Sequence, residues 1–415
     1  MQGCCAVRLS LTQAGKSVYG RVLDALPLLI ALLLGLLAAS ALLVTLAVDP
    51  RAGFGSMLQG AFGSENNFAE TLVKATPMLF VAIGICVAFR GGMTNVGGEG
   101  QMIMGALAGV SVVLAFSTGA SWWVIPLAVI AGFIAGGLYG ALAGWLKAFF
   151  SVNEILSTIM LNAIAVQVMN FLLNGPLLDP SEAGVNNIPK TARIAETLQI
   201  PRLSIPIPQG LADLFTFENA ELFARTRLHW GFVLAVILAV VAYYLLWRTT
   251  IGYRIRAVGE NDRAARFAGM RVRWNMVLSM FISGGFAGLA GVVQVLGLVY
   301  RLQTDGSPTG FTGNAGFNGI VVALLGGLNP IGAIFASVFF GGLLVGAQKM
   351  QRDLGVPASL ITAINGLIVI FVVCSEYFVR WRARRKALAK TGPPAMTEPV
   401  PVPRASELTA GQPSP

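Results

Sequence analysis

The sequence predicts an all-α integral membrane protein with about ten transmembrane helices. Three observations carry this. Of its 415 residues, 55% are hydrophobic and 12% charged, whereas soluble domains usually have roughly half and a quarter. Stretches free of Asp, Glu, Lys and Arg recur at 25–48, 75–89, 101–146, 155–178, 230–247, 274–300, 306–348 and 354–375. A helix needs about 20 apolar residues to cross a bilayer, and a charge at its centre costs about 2.5–3.5 kcal/mol on insertion scales. No alternating strand pattern points to a barrel instead.

The elements follow in order. Residues 1–24 read as a short cytoplasmic segment. The run 25–48 is too long for a signal-peptide core and reads as an uncleaved span. Cys4 and Cys5 have no apolar run before them, so a lipoprotein-type signal is not expected. The run 101–146 has room for two spans and breaks near 117–121. Residues 178–230 form the one long extracytoplasmic segment, with Pro180, Pro189, Pro201, Pro206, Pro208 and mixed charges. The run 306–348 holds two spans, one of them short, broken at the GGLNPIGA of 326–333. The transmembrane unit covers 25–380. The tail 381–415, rich in Pro and Ala, reads as cytoplasmic and disordered. Cys86 and Cys374 lie in apolar runs and read as packing residues.

Net charge is +10, but its distribution points to a membrane and not to nucleic acid. Arg248, Arg254, Arg256, Arg263, Arg266, Arg271 and Arg273 cluster in the segment 248–273. Arg380, Arg382, Arg384, Arg385, Lys386 and Lys390 follow the last span, and Arg8, Lys16 and Arg21 precede the first. The positive-inside rule makes all three regions, and so both termini, cytoplasmic. Six spans before the arginine-rich segment and four after it satisfy this, and Arg90 and Lys147 then fall on the same side.

Within 248–273, GENDRAARFAGMRV has the marks of one small helix. Asn261 or Asp262 can cap its start, and Gly269 supplies a left-handed stop. Ala264, Ala265, Phe267 and Ala268 give a small flat face with one aromatic, flanked by Arg263 and Arg266. Such a face suits docking in a groove of another protein. It is equally compatible with an ordinary basic loop.

Polar residues inside the apolar runs are the other candidates. Glu99 and Gln101 stand where a span begins. Glu99 there suits the helix dipole, or a polar constriction at a pore mouth. Ser151 and Glu154 have capping-box spacing, which makes Glu154 a cap rather than a catalyst. Asn162, Gln167 and Asn170 lie deeper in that span, and buried amides in lipid need partners or a wet cavity. Asn314 and Asn318 are one helical turn apart and share a face. Gln294 and Asn365 are single intramembrane amides. Asn95 and Asn314 each sit among glycines at the start of an apolar run, a weak internal echo of the kind seen in transporters with repeated halves, although glycine-rich helices also simply pack closely.

Enzymatic signatures fail. SLTQAGKS at 10–17 ends like a phosphate loop but has Ser10 where that loop needs glycine. His229 is the only histidine, so no histidine-based metal site or triad exists, and no cofactor is expected.

Together these motifs resemble the membrane-spanning permease subunits of bacterial ABC importers for branched-chain amino acids, ribose and nucleosides, above all the nucleoside (simple-sugar) type. The resemblance is carried by FRGGMTNVGGEGQ (89–101), VNEILSTIMLN (152–162), TTIGYRIRAVGENDRAARFAGM (249–270) and GFNGIVVALLGGLNPIGA (316–333), which occur in the family's order. One departure is TNVGGEG, where family members often carry a bulkier residue in place of the second glycine. The resemblance implies an all-α fold of about ten spans in two pseudo-repeated halves, in the cytoplasmic (inner) membrane of a bacterium. It implies three partners in the bilayer or at its surfaces: a separate ABC ATPase chain, a second homologous permease and a lipid-anchored substrate-binding protein. Gly259, Asn261, Asp262, Arg263, Ala264, Ala265, Arg266, Phe267 and Gly269 match the helix that rests in a groove of the ATPase. The expected substrate pathway takes in Asn95, Glu99, Gln101, Asn162, Gln167, Asn314 and Asn318. The implied cargo is a nucleoside, with ribose or another simple sugar as the alternative. An ion-coupled carrier is the competing class, disfavoured because proton-coupled carriers place carboxylates or His at mid-membrane and the sequence shows none there.

Overall fold

The structure, a computed structural model, describes residues 33–35, 37–45, 48–182, 188–206, 221–223 and 225–357, together with 363, 366, 367 and 370. The fold is that of the unit Gly35–Ile370; the other unit, Met1–Leu34 with Phe371–Pro415, has only Leu33 and Leu34 among the described residues. The predicted segments 1–24 and 381–415, and the residues Asn365 and Cys374, therefore lie outside the described residues.

The helices are α1 (Pro50–Phe62), α2 (Glu65–Arg90), α3 (Gly98–Ala115), α4 (Ser121–Phe150), α5 (Glu154–Leu173), α6 (Gly231–Arg248), α7 (Thr250–Glu260), α8 (Asp262–Phe267), α9 (Val272–Gln294), α10 (Pro308–Thr312), α11 (Ala315–Leu325) and α12 (Pro330–Leu354). Their starts follow local chemistry. Asp49 accepts the Arg51 N–H ahead of α1, Ser64 the Asn67 N–H ahead of α2, and Asn329 the Ile331 N–H ahead of α12. Pro50 and Pro330 occupy first-turn positions, where the missing N–H costs nothing. α9 ends in a π turn, Val295–Val299, closed by the left-handed Tyr300.

Seven helices among the described residues are long and apolar enough to cross a membrane, or eight if the bent pair Leu33–Thr45 and Pro50–Phe62 forms one span. Ten spans are not reached within the described residues, since the last charge-free run falls mostly outside them. The predicted breaks are present: α3 and α4 divide the run 101–146, and α11 and α12 divide 306–348. α11, with 11 residues, is short.

α2 and α9 form the centre, with 83% and 78% of their apolar windows buried, while α4, α5 and α6 surround them at 33%, 28% and 28%. Glycine lets α3, α4 and α9 touch through their backbones: a Cβ at Gly288 would stand 2.2 Å from the Gly132 carbonyl oxygen. Lipid gives no hydrophobic drive for helices to associate, so close contact of this kind is what holds such helices together.

The long connection between α5 and α6 is built onto the end of α9. The Thr191, Ile194 and Ile200 N–H groups donate to the carbonyls of Leu302, Tyr300 and Leu296. Ile194, Leu198 and Ile200 are buried in the main core, and the two short strands Ile205–Pro206 and Glu221–Leu222 pair antiparallel.

The capping box predicted for Ser151 and Glu154 does not form. Ser151 is instead the left-handed stop of α4. Asn153 caps α5, accepting from the Ile155 and Leu156 N–H groups. Glu154, in the first turn, pairs with Lys147 at 2.9 Å. The two helices are too close in sequence for Ser151 to serve both ends.

Candidate functional site

Two helices start inside the apolar layer, and their starts meet. α2 ends at Arg90; Gly92, at φ +72°, turns the chain back, and residues 91–97 re-enter. α3 begins at Gly98, where an added Cβ would stand 3.2 Å from Val81 Cγ1 and 3.1 Å from Gly316 Cα. Val81 lies nine residues before Arg90, about 13 Å along the helix. α11 begins at the same level, because a Cβ at Gly319 would stand 2.6 Å from Val81 Cγ1. α11 then runs back toward the Arg90 end, where Arg90 Nε donates to the Leu328 carbonyl at 3.3 Å. α3 runs the other way. The amino ends of the two helices therefore face each other across a glycine contact.

Glu99 lies in this junction and is fully buried. Its Oε1 accepts the Phe317 N–H at 3.1 Å. The start of α11 has no cap from its own Asn314 side chain, so a carboxylate from another helix does that work. Glu99 is also in the first turn of α3. Two helix amino ends, each carrying partial positive charge, thus converge on one carboxylate. The other oxygen, Oε2, is buried with no hydrogen-bond partner among the described residues.

The amides around it are engaged by the protein itself. Asn95 Nδ2 donates to Gln101 Oε1 and to Ser283 Oγ, both at 2.8 Å. Asn95 Oδ1 accepts from the Gly97 N–H and from Gln101 Nε2. Asn162 Oδ1 accepts the Gly100 N–H at 2.8 Å, and its Nδ2 donates to the Val96 carbonyl at 3.1 Å. Asn162 is thus to α3 what Glu99 is to α11, a cap supplied by a neighbouring helix. The spacing of these polar residues was visible in the sequence; the pairing of each with a helix start was not, because it joins residues 62 and 218 positions apart.

The remaining pathway candidates are placed differently. Asn318 lines a small cavity with Lys74, Thr76, His229, Gln294 and Thr312. Gln294 Nε2 donates to the Phe311 carbonyl at 2.6 Å, and its Oε1 is unpartnered among the described residues. So Gln294, which the sequence left without a partner, joins α9 to α10. His229 was not among the candidates. Its Nδ1 accepts the Gly231 N–H, and burial lowers its pKa from 6.5 to about 4, so the ring is neutral. Asn314 and Gln167 are exposed, Gln167 on an otherwise apolar face of α5 that includes Ile164 and Phe171.

The second candidate region is the pair α7–α8. Asn261, not Asp262, caps α8, its Oδ1 accepting the Ala264 N–H at 3.0 Å. Gly269 is left-handed at φ +77°. Phe267 is 94% exposed, and Ala264, Arg263 and Arg266 are exposed beside it. Ala265 corrects the predicted flat face: it is buried against Val258 and Val272 and holds α8 to its own chain. Gly259 seats α7 on the turn after α2, since a Cβ there would lie 2.1 Å from the Arg90 carbonyl oxygen and 2.6 Å from the Gly92 nitrogen. Arg90 and Arg256 both stack on Trp247, at 5.5 and 5.8 Å. Arg90 thereby links the end of α11 to the α7 region.

Helices that cross an apolar layer, two that start within it, and a short charged helix presenting one bare aromatic define a multi-pass membrane transport subunit. The chain belongs to the permease family described as the permease component of the branched-chain amino acid transport system, whose model matches residues 67–373. It is 36% identical over 353 residues to the guanosine ABC transporter permease protein NupP of Bacillus subtilis, covering 85% of this chain and 94% of that one. It is 34% identical over 341 residues to the glucose ABC transporter permease protein TsgB13 of Haloferax volcanii, covering 82% and 84%. It is 29% identical over 344 residues to the nucleoside ABC transporter permease protein NupB of Lactococcus lactis, covering 83% and 89%. No solved structure matches the chain.

Proposed function

We propose that the chain is the membrane-spanning subunit of an ABC importer that carries nucleosides into a bacterial cell across the cytoplasmic membrane. The observation that carries this reading is Glu99 between two helix starts. Paired half-helix amino ends attract anionic solutes, and here a resident carboxyl group already occupies the position such a solute would take. The junction then suits a neutral solute, such as a nucleoside or a sugar. The relatives named for guanosine and nucleosides support the first, and the relative named for glucose supports the second.

In this reading 248–273 and both termini face the cytoplasm and 178–230 faces outside. α8 docks on a separate ATPase chain through Phe267, and Gly259 carries its movement to the turn after α2. A second permease and a lipid-anchored binding protein complete the importer. The echo between α3 and α11 reflects two repeated halves. Asn314, Asn318 and Gln167 supply polar contacts along the pathway, while Asn95, Glu99, Gln101 and Asn162 hold the helix starts that shape it. Glu99 is a carboxyl group inside the apolar layer, a feature that ion-coupled carriers share. ATP dependence now separates the two classes. The test is uptake into vesicles holding the assembled importer, with labelled guanosine, ribose and glucose offered in turn. ATP-dependent guanosine uptake is expected; uptake driven by a proton or sodium gradient without ATP would overturn the reading.

A further inference from the structure

Where α4 ends and α9 begins, Phe149, Arg266, Arg271, Val272, Arg273 and Trp274 line an open cleft of about 450 Å³. All three arginines are exposed. Among the described residues, none of them forms an ion pair, and the nearby Glu154 is already held by Lys147. Arg273 stacks on Phe149 at 5.4 Å, and Phe149 meets Trp274 edge-on at 6.0 Å. Trp145 packs on Phe149 and Phe150, and Trp145, Phe150 and Trp274 are 42%, 61% and 61% exposed.

This cleft has two unlike walls. One is a cationic rim whose arginines form no ion pair among the described residues. The other is aromatic and continues along the outer face of α4 through exposed Leu142 and Leu138. It lies where two apolar helices end, the level at which tryptophan and headgroups meet. A soluble protein surface would match the rim but not the apolar wall, and an uncharged lipid the wall but not the rim. α8 also divides its surfaces: Arg263 and Phe267, four residues apart, share one side, and Arg266 stands about 100° round the helix from Phe267.

We propose that this cleft binds the phosphate headgroup of an anionic phospholipid, with its acyl chains along α4. The lipid would then hold the coupling segment against the membrane, whatever solute the importer carries. Basic pockets at helix ends on the membrane surface recognise such headgroups, with each arginine changing the preference about fivefold.

Trp274 provides the readout. The assembled importer, ATPase included, is placed in nanodiscs of phosphatidylcholine containing the same minor fraction of either brominated phosphatidylglycerol or brominated phosphatidylcholine. The Trp274 signal is the difference between the protein and its Trp274→Phe variant. Tenfold or greater preference for the anionic lipid is expected. Arg271→Gln with Arg273→Gln should remove most of it, and Arg271→Lys with Arg273→Lys should retain most of it. Equal quenching by both lipids overturns the proposal, and does so without any arginine variant having to fold. Unchanged preference in the Gln variant also overturns it. Displacement by soluble glycerophosphate would assign the cleft to a free phosphate compound, and a preference seen only without the ATPase would assign it to the protein interface; either removes the lipid.

Discussion

Glu99 Oε1 accepts the backbone N–H of Phe317 at 3.1 Å, so the first turn of α3 caps the first turn of α11. The pair are 218 residues apart, and the contact fixes how the two half-length starts face each other. Gly316 makes it possible: a Cβ there would stand 2.5 Å from the Glu99 nitrogen. Position, charge and absence of a side chain are therefore one device.

Removing the device should separate its parts. Glu99→Ala leaves the start of α11 uncapped inside the apolar layer, and loss of a helix cap costs about 0.5–2 kcal/mol. Glu99→Gln keeps an acceptor of the same shape but replaces the carboxyl group that faces the two helix starts. The expected order of thermal stability in detergent is wild type, then Gln, then Ala. A Gln variant as unstable as Ala would show that the carboxyl group itself, which both variants lack, and not merely an acceptor of that shape, matters at 99.

Asn162 and Gln167 lie in the same helix and should answer differently. Asn162→Leu deletes the acceptor for Gly100 N–H and the donor to Val96, in a place where an unmet polar group costs about 1–3 kcal/mol. It should lower stability and uptake together. Gln167→Leu, on an exposed apolar face, should leave stability within about 0.5 kcal/mol. Thermal melts and uptake on both variants decide this, and equal destabilisation by both would remove the distinction.

His229 predicts a pH effect with a definite sign. Its pKa is lowered by burial from 6.5 to about 4. Above pH 6.5 the ring is neutral folded or unfolded, so nothing is lost. As pH falls from 6.5 toward 4 the unfolded chain takes up a proton that the folded chain refuses, so stability falls, by up to about 3 kcal/mol. His229→Asn keeps an acceptor for the Gly231 N–H and does not titrate. Melting temperatures between pH 7.5 and 4.5 should drop more steeply for the wild type; parallel curves would mean that His229 is not kept neutral by the fold.

The sequence read some of this well, for physical reasons. Charge-free runs mark where α3 with α4 and α11 with α12 lie, because a charge is costly in lipid wherever it falls, and the breaks near 117–121 and at 326–333 divide them. Asn261 and Gly269 mark α8 because caps are local. Three features escaped. The Ser151–Glu154 spacing looked like a capping box, yet tight succession of α4 and α5 gave the cap to Asn153. Ala265 looked like part of a docking face, but six residues of helix need an anchor and Ala265 is it. Glu99 looked like a helix-start residue of one helix, and only tertiary packing could show that it serves two.

The last prediction concerns how movement reaches that junction. Gly259, near the end of α7, and Phe267, at the end of α8, should fail in opposite ways. Phe267 is 94% exposed, so Phe267→Ala should not change the stability of the isolated chain. It should weaken ATPase association more than tenfold, as truncating an aromatic anchor commonly costs at least about 2 kcal/mol. At Gly259 the space that a side chain would take is filled by the Arg90 carbonyl and the Gly92 nitrogen. Gly259→Ala must push α7 away from the turn after α2, since 2.1 Å to a carbonyl oxygen leaves no room for a methyl group and backbone cannot swing aside as a side chain can. The ATPase should still copurify with Gly259→Ala, while uptake per ATP hydrolysed falls severalfold. Measured together, copurification and the uptake-to-hydrolysis ratio distinguish a lost grip from a lost linkage. If Gly259→Ala transports at the wild-type ratio, movement does not pass from α7 to the turn at Arg90, and the junction at Glu99 must be worked by another route.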